Sequence, residues 1–95
     1  MLLEWDEGKR QSNLAKHSID FRDAIRVFDG PVFETTDSRR GEERIVAIGS
    51  VENVEIVVVY VIRGQRRRII SARRAHSNER QDYANHLKLA DRGQN

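Results

Sequence analysis

The 95-residue sequence contains no cysteine, a single proline and only 6% aromatic residues. Without cysteine, neither a disulfide framework nor a thiolate metal site can form, and the chain needs no oxidising compartment. The longest apolar run, residues 56–62, is far shorter than the roughly 20 residues of a membrane-spanning helix. The length is that of one domain, which excludes a multidomain enzyme.

We expect no secretory signal, because residues 1–6 lack a basic region followed by an apolar one. The sequence therefore predicts a cytoplasmic protein with no membrane partner. We expect a single domain over residues 1–95, with an ordered core at about residues 2–90 and a frayed tail at 91–95.

Charge is distributed unevenly along the chain. Residues 1–65 carry 9 basic and 12 acidic side chains, a net charge of −3, whereas residues 66–95 carry 8 and 3, a net charge of +5. Arginine supplies 14 of the 17 basic residues, and its planar guanidinium group binds phosphate through paired hydrogen bonds. The basic C-terminal third indicates a polyanion or an acidic protein as partner.

Capping residues and apolar spacing predict two helices in the N-terminal part. Asp6 caps a helix over residues 7–16, and Ser18 or Asp20 caps the next one. The second helix carries one apolar stripe, formed by Phe21, Ala24, Ile25 and Phe28.

Runs rich in β-branched residues, separated by turn residues, predict five strands. A polar loop at 37–43 follows the second strand, and Ser77 or Asn78 caps a last helix. The order β-α-α-β-β-β-β-α is typical of an α+β domain in which helices cover one face of an antiparallel sheet. The predicted strands are 2–5, 32–36, 44–51, 54–63 and 66–74.

The last two strands form a hairpin around a turn at residues 64–65. If Arg63 opposes Arg66, the same register places Glu55 opposite Arg74. A single bulge would exchange the faces of residues on the last strand. Strict alternation groups Glu55, Arg63, Arg66, Arg68 and Arg74 on one face, with Arg73 on the other.

Like charges on adjacent strands repel one another, so this group of arginines indicates a role beyond stability. We expect the guanidinium groups of the last two strands to converge into a pocket that binds phosphate. The alternative is a solvated sheet face on which Glu55 and neighbouring acids pair with the arginines.

Two groups of residues, one towards each end of the chain, form a further pattern. The first comprises Trp5-Asp6, Lys9, Asn13, Lys16-His17, Phe21, Ala24 and Phe28. The second comprises residues 68–73, Ala75, Glu79-Arg80 and Tyr83, with Glu43-Arg44 and Gly49 between the two groups. This pattern, over most of residues 5–83, resembles the BrnT toxins of bacterial toxin-antitoxin pairs, which are small ribonucleases with a RelE-like fold.

The resemblance implies an endoribonuclease toxin that cleaves mRNA and arrests translation, with neither a metal ion nor another cofactor. It implies a protein antitoxin, BrnA, which binds DNA and neutralises the toxin. The toxin then contacts DNA only through this antitoxin. It also implies a sheet flanked by helices, in agreement with the element order.

Metal-free cleavage of RNA requires positive charge at the phosphate, a proton acceptor for the 2′-hydroxyl and a proton donor for the leaving oxygen. The candidates for the charge are Arg63, Arg73 and Arg74. For proton transfer we favour His17 and Glu55, and His76, His86 and Tyr60 also stay open. The alternative for His17 is a favourable contact with the end of a helix, and for Glu55 a structural salt bridge.

Five further side chains are predicted to bind RNA: Trp5, Lys9, Lys16, Arg66 and Arg68. Lys9 and Lys16 lie two turns apart on one helix face, and both can approach a phosphate backbone. Trp5 can stack on a base, although a lone tryptophan near a terminus is also explained as core.

Two other functions fit the same residues. The first is a basic binding module without catalysis, and the second is a degenerate toxin retained in an antitoxin complex that regulates its operon. Turnover of RNA separates an enzyme from both alternatives.

Overall fold

A computed structural model describes residues 2–38 and 41–93, except for the side chains of residues 92 and 93. A five-stranded sheet has the strand order β1-β5-β4-β3-β2, in which β1 runs parallel to β5 and all other neighbours are antiparallel. The predicted α+β class and element order are confirmed. The elements are β1 Leu2–Trp5, α1 Glu7–His17, α2 Phe21–Ala24, a 3₁₀ helix Ile25–Asp29, β2 Phe33–Asp37, β3 Arg44–Val51, β4 Val54–Arg63, β5 Arg66–Arg74 and α3 Ser77–Gly93.

Aspartate side chains start the first two helices. The Lys9 N–H donates to Asp6 Oδ2 at 3.1 Å, and the Arg22 N–H donates to Asp20 Oδ1 at 2.9 Å. Of the two predicted caps for α2, Asp20 is therefore the one used. Each carboxylate satisfies an N–H group that has no partner inside its helix.

The stripe predicted for the second helix changes because the helix tightens into 3₁₀ form after Ala24. Phe21, Ala24 and Val27 are the buried residues, whereas Ile25 and Phe28 are only partly buried. A 3₁₀ helix has three residues per turn, so side chains three apart share a face. Val27 takes the buried position that the α-helical spacing had assigned to Phe28.

Helices cover both faces of the sheet, so the expectation of a single covered face is wrong. The core face, with Ile56, Val58 and Tyr60 of β4, packs against α2 and the 3₁₀ helix. The α3 face, with Ile48 and Val57, packs against Tyr83 and Leu87 of α3. Because β4 is apolar at successive positions, both of its faces must be covered.

A β-bulge in β5 changes the predicted register. Tyr60 pairs with Ile69, but Val59 pairs with Ser71, which leaves Ile70 as the extra residue. The pairing of Arg63 with Arg66 is confirmed. Glu55 opposite Arg74 is wrong, because beyond the bulge Arg74 pairs with Ile56 and Arg73 with Val57. Arg73 therefore lies on the α3 face and Arg74 on the core face, the reverse of the prediction.

Beyond Trp5 and its partner Ile69, β1 has ended and β5 is an edge strand. The buried side chain of Asn13 on α1 satisfies this edge: its Nδ2 donates to Ala72 O at 2.8 Å, and the Ala72 N–H donates to its Oδ1 at 3.1 Å. The amide replaces a neighbouring strand and holds α1 beside the bulge.

The last helix begins at Ser77, so the residue before it is His76 rather than either predicted cap. The His76 N–H donates to Glu79 Oε1 at 2.7 Å, as in a capping box. The helix continues to Gly93, within the region predicted as a tail, while residues 94 and 95 lie outside the described part. No described helix is both long enough and apolar enough to span a bilayer.

Candidate nucleic-acid site

An open groove of about 530 Å³ lies on the α3 face, between α1, the sheet and the first turn of α3. Its floor is aliphatic and consists of Val46, Val59 and Ile70. A smaller depression of about 230 Å³ continues it along α1, because the two share Lys9, Ile70 and Ser71. The charged and hydroxyl groups on the rim of the main groove are Lys9, Asp37, Arg44, Ser71, Arg73 and Glu79.

The guanidinium group of Arg73 is held in a fixed orientation by Glu79. Nη1 and Nη2 donate to the two carboxylate oxygens at 2.8 Å each, and Nη1 also donates to Arg74 O at 3.2 Å. The hydrogen bonds from Arg73 lower the pKa of Glu79 to about 2, and the carboxylate in turn raises the pKa of Arg73. Arg73 retains its Nε–H and one Nη2–H for another acceptor.

Two other cations of the groove are not neutralised in this way. Within the described residues, Lys9 and Arg44 form no ion pair, and the solvent-inaccessible Nε of Arg44 has no hydrogen-bond partner. Arg44 is the first residue of β3 and lies opposite Asp37 in the register of β2 and β3. Arg44 was not among the predicted site residues, although it belongs to the Glu43-Arg44 pair of the resemblance.

Four predicted site residues meet at this groove. Lys9 and Arg73 line its main part, and Lys9, Lys16 and His17 line its continuation along α1. His17 is half-buried at the last position of α1, so its predicted contact with the helix end and its place in the groove are compatible.

The expected convergence of the arginines is wrong. Arg63 and Arg73 lie towards opposite ends of the hairpin, because Arg63 and the partner of Arg73, Val57, are separated by about 20 Å of extended strand. Arg63 pairs instead with Glu42 at 2.9 Å. Nine- and ten-residue strands are too long for residues near their two ends to share one phosphate.

Arg66 and Arg68 lie on the α3 face but outside the groove, where Glu4 of β1 pairs with both at 3.7 and 2.7 Å. Arg74 is exposed on the core face. The structure thus supports the predicted alternative of carboxylate-paired arginines for most of the cluster, while the RNA-binding roles of Arg66 and Arg68 stay predictions.

The remaining candidates lie in other surroundings. Glu55 lies near Tyr83, whose pKa is raised by burial and then by this carboxylate. Trp5 packs edge-on against Phe21 with ring centroids 6.1 Å apart, as the core explanation predicts. Tyr60 donates its hydroxyl to Glu34, and burial raises its pKa to about 12, so the phenol stays protonated at neutral pH and is not available as a proton acceptor.

The two other histidines differ in their access to the groove. The ring of His86 packs against Phe33 at 5.0 Å between centroids. His76 is exposed, and its Nδ1 lies 3.5 Å from Glu79 Oε1, next to Arg73. Within residues 2–38 and 41–93, no three His, Asp or Glu side chains are grouped closely enough to hold a metal ion.

Comparisons with known proteins agree on one family. The family described as "Ribonuclease toxin, BrnT, of type II toxin-antitoxin system" matches residues 5–79. The 1.1 Å crystal structure of the Brucella abortus ribonuclease toxin BrnT is similar, with 33% sequence identity, a TM-score of 0.61 and coverage of 81% of this chain and 100% of that chain. A comparison with curated proteins gives no significant match. The chain therefore belongs to the BrnT family of ribonuclease toxins of type II toxin-antitoxin systems.

Proposed function

We propose that this toxin cleaves mRNA in the cytoplasm by attack of a 2′-hydroxyl on the adjacent phosphorus, without a metal ion, and that the reaction takes place in the groove. The observation that carries the proposal is the arrangement of Lys9 and Arg73, which line one open groove from α1 and β5. An aliphatic floor with cations on the rim suits a nucleic acid, whose bases are flat and whose phosphates are charged.

Arg73 and Lys9 stabilise the negative charge that develops on the phosphorane. Arg73 suits this role because Glu79 fixes its orientation before substrate binds, so little rearrangement is needed during the reaction. The pair with Glu79 leaves two guanidinium N–H groups to donate to phosphate oxygens.

Proton transfer is assigned to the histidines of the groove and its margin. A base removes the proton of the 2′-hydroxyl, and an acid protonates the leaving 5′-oxygen, which leaves a 2′,3′-cyclic phosphate and a 5′-hydroxyl. His17 lies in the continuation along α1, and His76 lies beside the Arg73–Glu79 pair. Single alanine variants of the two histidines distinguish their roles, because loss of the base and loss of the acid change different limbs of the pH–rate profile.

The family carries a protein antitoxin with each toxin, and we infer that the partner of this chain is a BrnA-like, DNA-binding protein. Contact with DNA then occurs through the antitoxin. Co-expression of this chain with the neighbouring reading frame tests the pair: growth should be restored, and the two proteins should purify together. Continued toxicity in the presence of that protein contradicts this assignment.

One observation favours the alternative of a binding module without turnover. Arg63, Arg66, Arg68 and Arg73 are each paired with a carboxylate, so most of the predicted charge is already neutralised. In that case the protein should bind RNA and return it intact. A degenerate toxin should likewise fail to arrest growth when expressed alone.

The deciding experiment incubates the purified chain with excess mRNA in the presence of EDTA. Cleavage should yield more moles of product than of protein, with 2′,3′-cyclic phosphate ends. The Arg73→Ala variant should lose this activity, whereas Arg26→Ala is a matched control, because Arg26 pairs with Glu52 away from the groove. Intact RNA at high protein concentration would falsify the proposal.

A further inference from the structure

Arg44 is an arginine of the groove whose charge no ion pair compensates within the described residues. Its Nε is closed to solvent and has no hydrogen-bond partner. A buried donor without a partner is rare in folded proteins and needs an explanation, such as strain, a catalytic role or a bound water or ion. Among the described residues, Arg44 Nε therefore has no acceptor.

The other arginines of the sheet, apart from the exposed Arg74, have compensation that Arg44 lacks. Arg68 and Arg73 donate to Glu4 and Glu79, respectively. The Nε of Arg67 also has no partner, but its guanidinium lies 4.3 Å from the ring centroid of Phe28 in a cation–π contact on the core face. Among residues 2–38 and 41–93, neither a carboxylate within ion-pair distance nor an aromatic ring lies against Arg44.

The position of Arg44 within the groove defines what acceptor it can take. It shares the rim with Lys9 and Ser71, and the aliphatic floor lies among these residues. A guanidinium fork matches two oxygens of one phosphate, and the pair of hydrogen bonds fixes orientation as well as charge. A phosphate is therefore the anion that this part of the groove fits.

We propose that Arg44 contacts a phosphate of the bound RNA, with its Nη1 and Nη2 groups donating to the non-bridging oxygens. This inference rests on the proposed function in one respect, that the groove holds RNA. Arg73 is the first guanidinium group that contacts the RNA. The second is then Arg44 of β3, and not Arg63 or Arg74 of the hairpin. Lysine at this position would keep the charge but lose the fork.

The test measures binding of a short single-stranded RNA with 2′-O-methyl groups, which cannot be cleaved by 2′-hydroxyl attack, over a series of salt concentrations. The Arg44→Ala variant should bind about 10-fold more weakly or worse, because a charge-assisted hydrogen bond is lost. Its slope of log K against log salt should be shallower by about 0.7, the value for one phosphate contact on a single strand.

Three further variants make the result specific. Arg44→Gln keeps the stem and an amide donor, so it provides a second neutral variant if alanine impairs folding, which circular dichroism detects. Arg44→Lys should keep the parent slope yet cleave ordinary RNA more slowly, because it has lost the fork. Arg26→Ala also removes one arginine charge, and this variant should match the parent in both affinity and cleavage.

The inference is overturned if either neutral variant, when folded, keeps the affinity and slope of the parent, or if the parent does not bind the RNA at all. It is supported, and the proposed catalysis is contradicted, if the parent binds RNA with the Arg44-dependent slope but leaves ordinary RNA intact. Cleavage by the parent that is unaffected in Arg44→Ala leaves the proposed function in place and removes Arg44 from the site.

Discussion

The two faces of the sheet place arginine in different surroundings. On the core face, Arg67 lies over the rings of Phe28 and Tyr60, beside a continuous apolar cluster. On the α3 face, the helix covers Ile48 and Val57 but leaves the neighbouring groove open, with Arg44 and Arg73 on its rim. The core face is thus filled by apolar packing, whereas the α3 face combines a smaller apolar cluster with an open groove.

The first prediction compares the apolar side chains of the two faces. Phe21→Ala on the core face should lower the free energy of unfolding by about 3–5 kcal/mol, because Phe21 is fully buried. Val59→Ala in the half-buried groove floor should cost about 1 kcal/mol or less. Urea unfolding measures both, and equal losses would remove the distinction between the faces.

The second prediction compares an arginine from each face. Arg73→Ala should reduce RNA cleavage by about 10²–10³-fold, the usual effect of removing a donor to the developing charge. Arg67→Ala should leave the cleavage rate unchanged and lower stability by about 1 kcal/mol through loss of its cation–π contacts. Rates under substrate saturation measure the first effect. A similar loss of rate in both variants would contradict the assignment of activity to the α3 face.

The third prediction concerns the attachment of α1 to the groove. Asn13→Ala should lower the free energy of unfolding by about 2–4 kcal/mol, because the N–H and C=O of Ala72 are buried and lose their partner. The matched control is Asn85→Ala on the exposed side of α3, where Asn85 accepts a bond from Gln81 and a change within about 0.5 kcal/mol is expected. Thermal or urea unfolding measures the loss of stability in both variants, and equal losses would contradict the role given to Asn13.

The fourth prediction follows from the lowered pKa of Glu79. A carboxylate whose pKa is about 2 in the folded protein stabilises it fully above its ordinary value of 4.5 and progressively less as the pH falls from 4.5 towards 2. Glu79→Gln should therefore cost about 1–3 kcal/mol at neutral pH and reduce the loss of stability over that acidic range. Glu42→Gln, which disrupts the exposed pair with Arg63, should have little effect in the same pH series of unfolding curves.

Much of the fold was predictable from short segments. The caps at Asp6 and Asp20 and the limits of β3, β4 and β5 follow from local residue preference, and the structure has them at those positions. The register of the hairpin was correct only from the turn as far as Tyr60 and Ile69. Nothing in residues 66–74 indicates that Ile70 is the extra residue, because its neighbour Ile69 is equally apolar and equally suited to a strand.

The site was predictable only in part. Lys9, Lys16 and His17 were found through one helix face and the family pattern, and they line the groove. Arg63 was misplaced because alternation gives the face of a residue but not its distance from another. The partners of the arginines were also hidden: Glu4 and Arg68 are 64 residues apart in the chain, and their contact depends on the parallel pairing of β1 with β5.

The sequence by itself determined the element order, the helix caps, the basic C-terminal third and the family, because these depend on neighbouring residues or on a pattern of identities. Only the tertiary structure decided which arginines are neutralised and which remain available to a ligand. That choice depends on one bulge and on contacts between distant segments, since an ion pair forms only where the folded backbone brings the two side chains within a few ångströms.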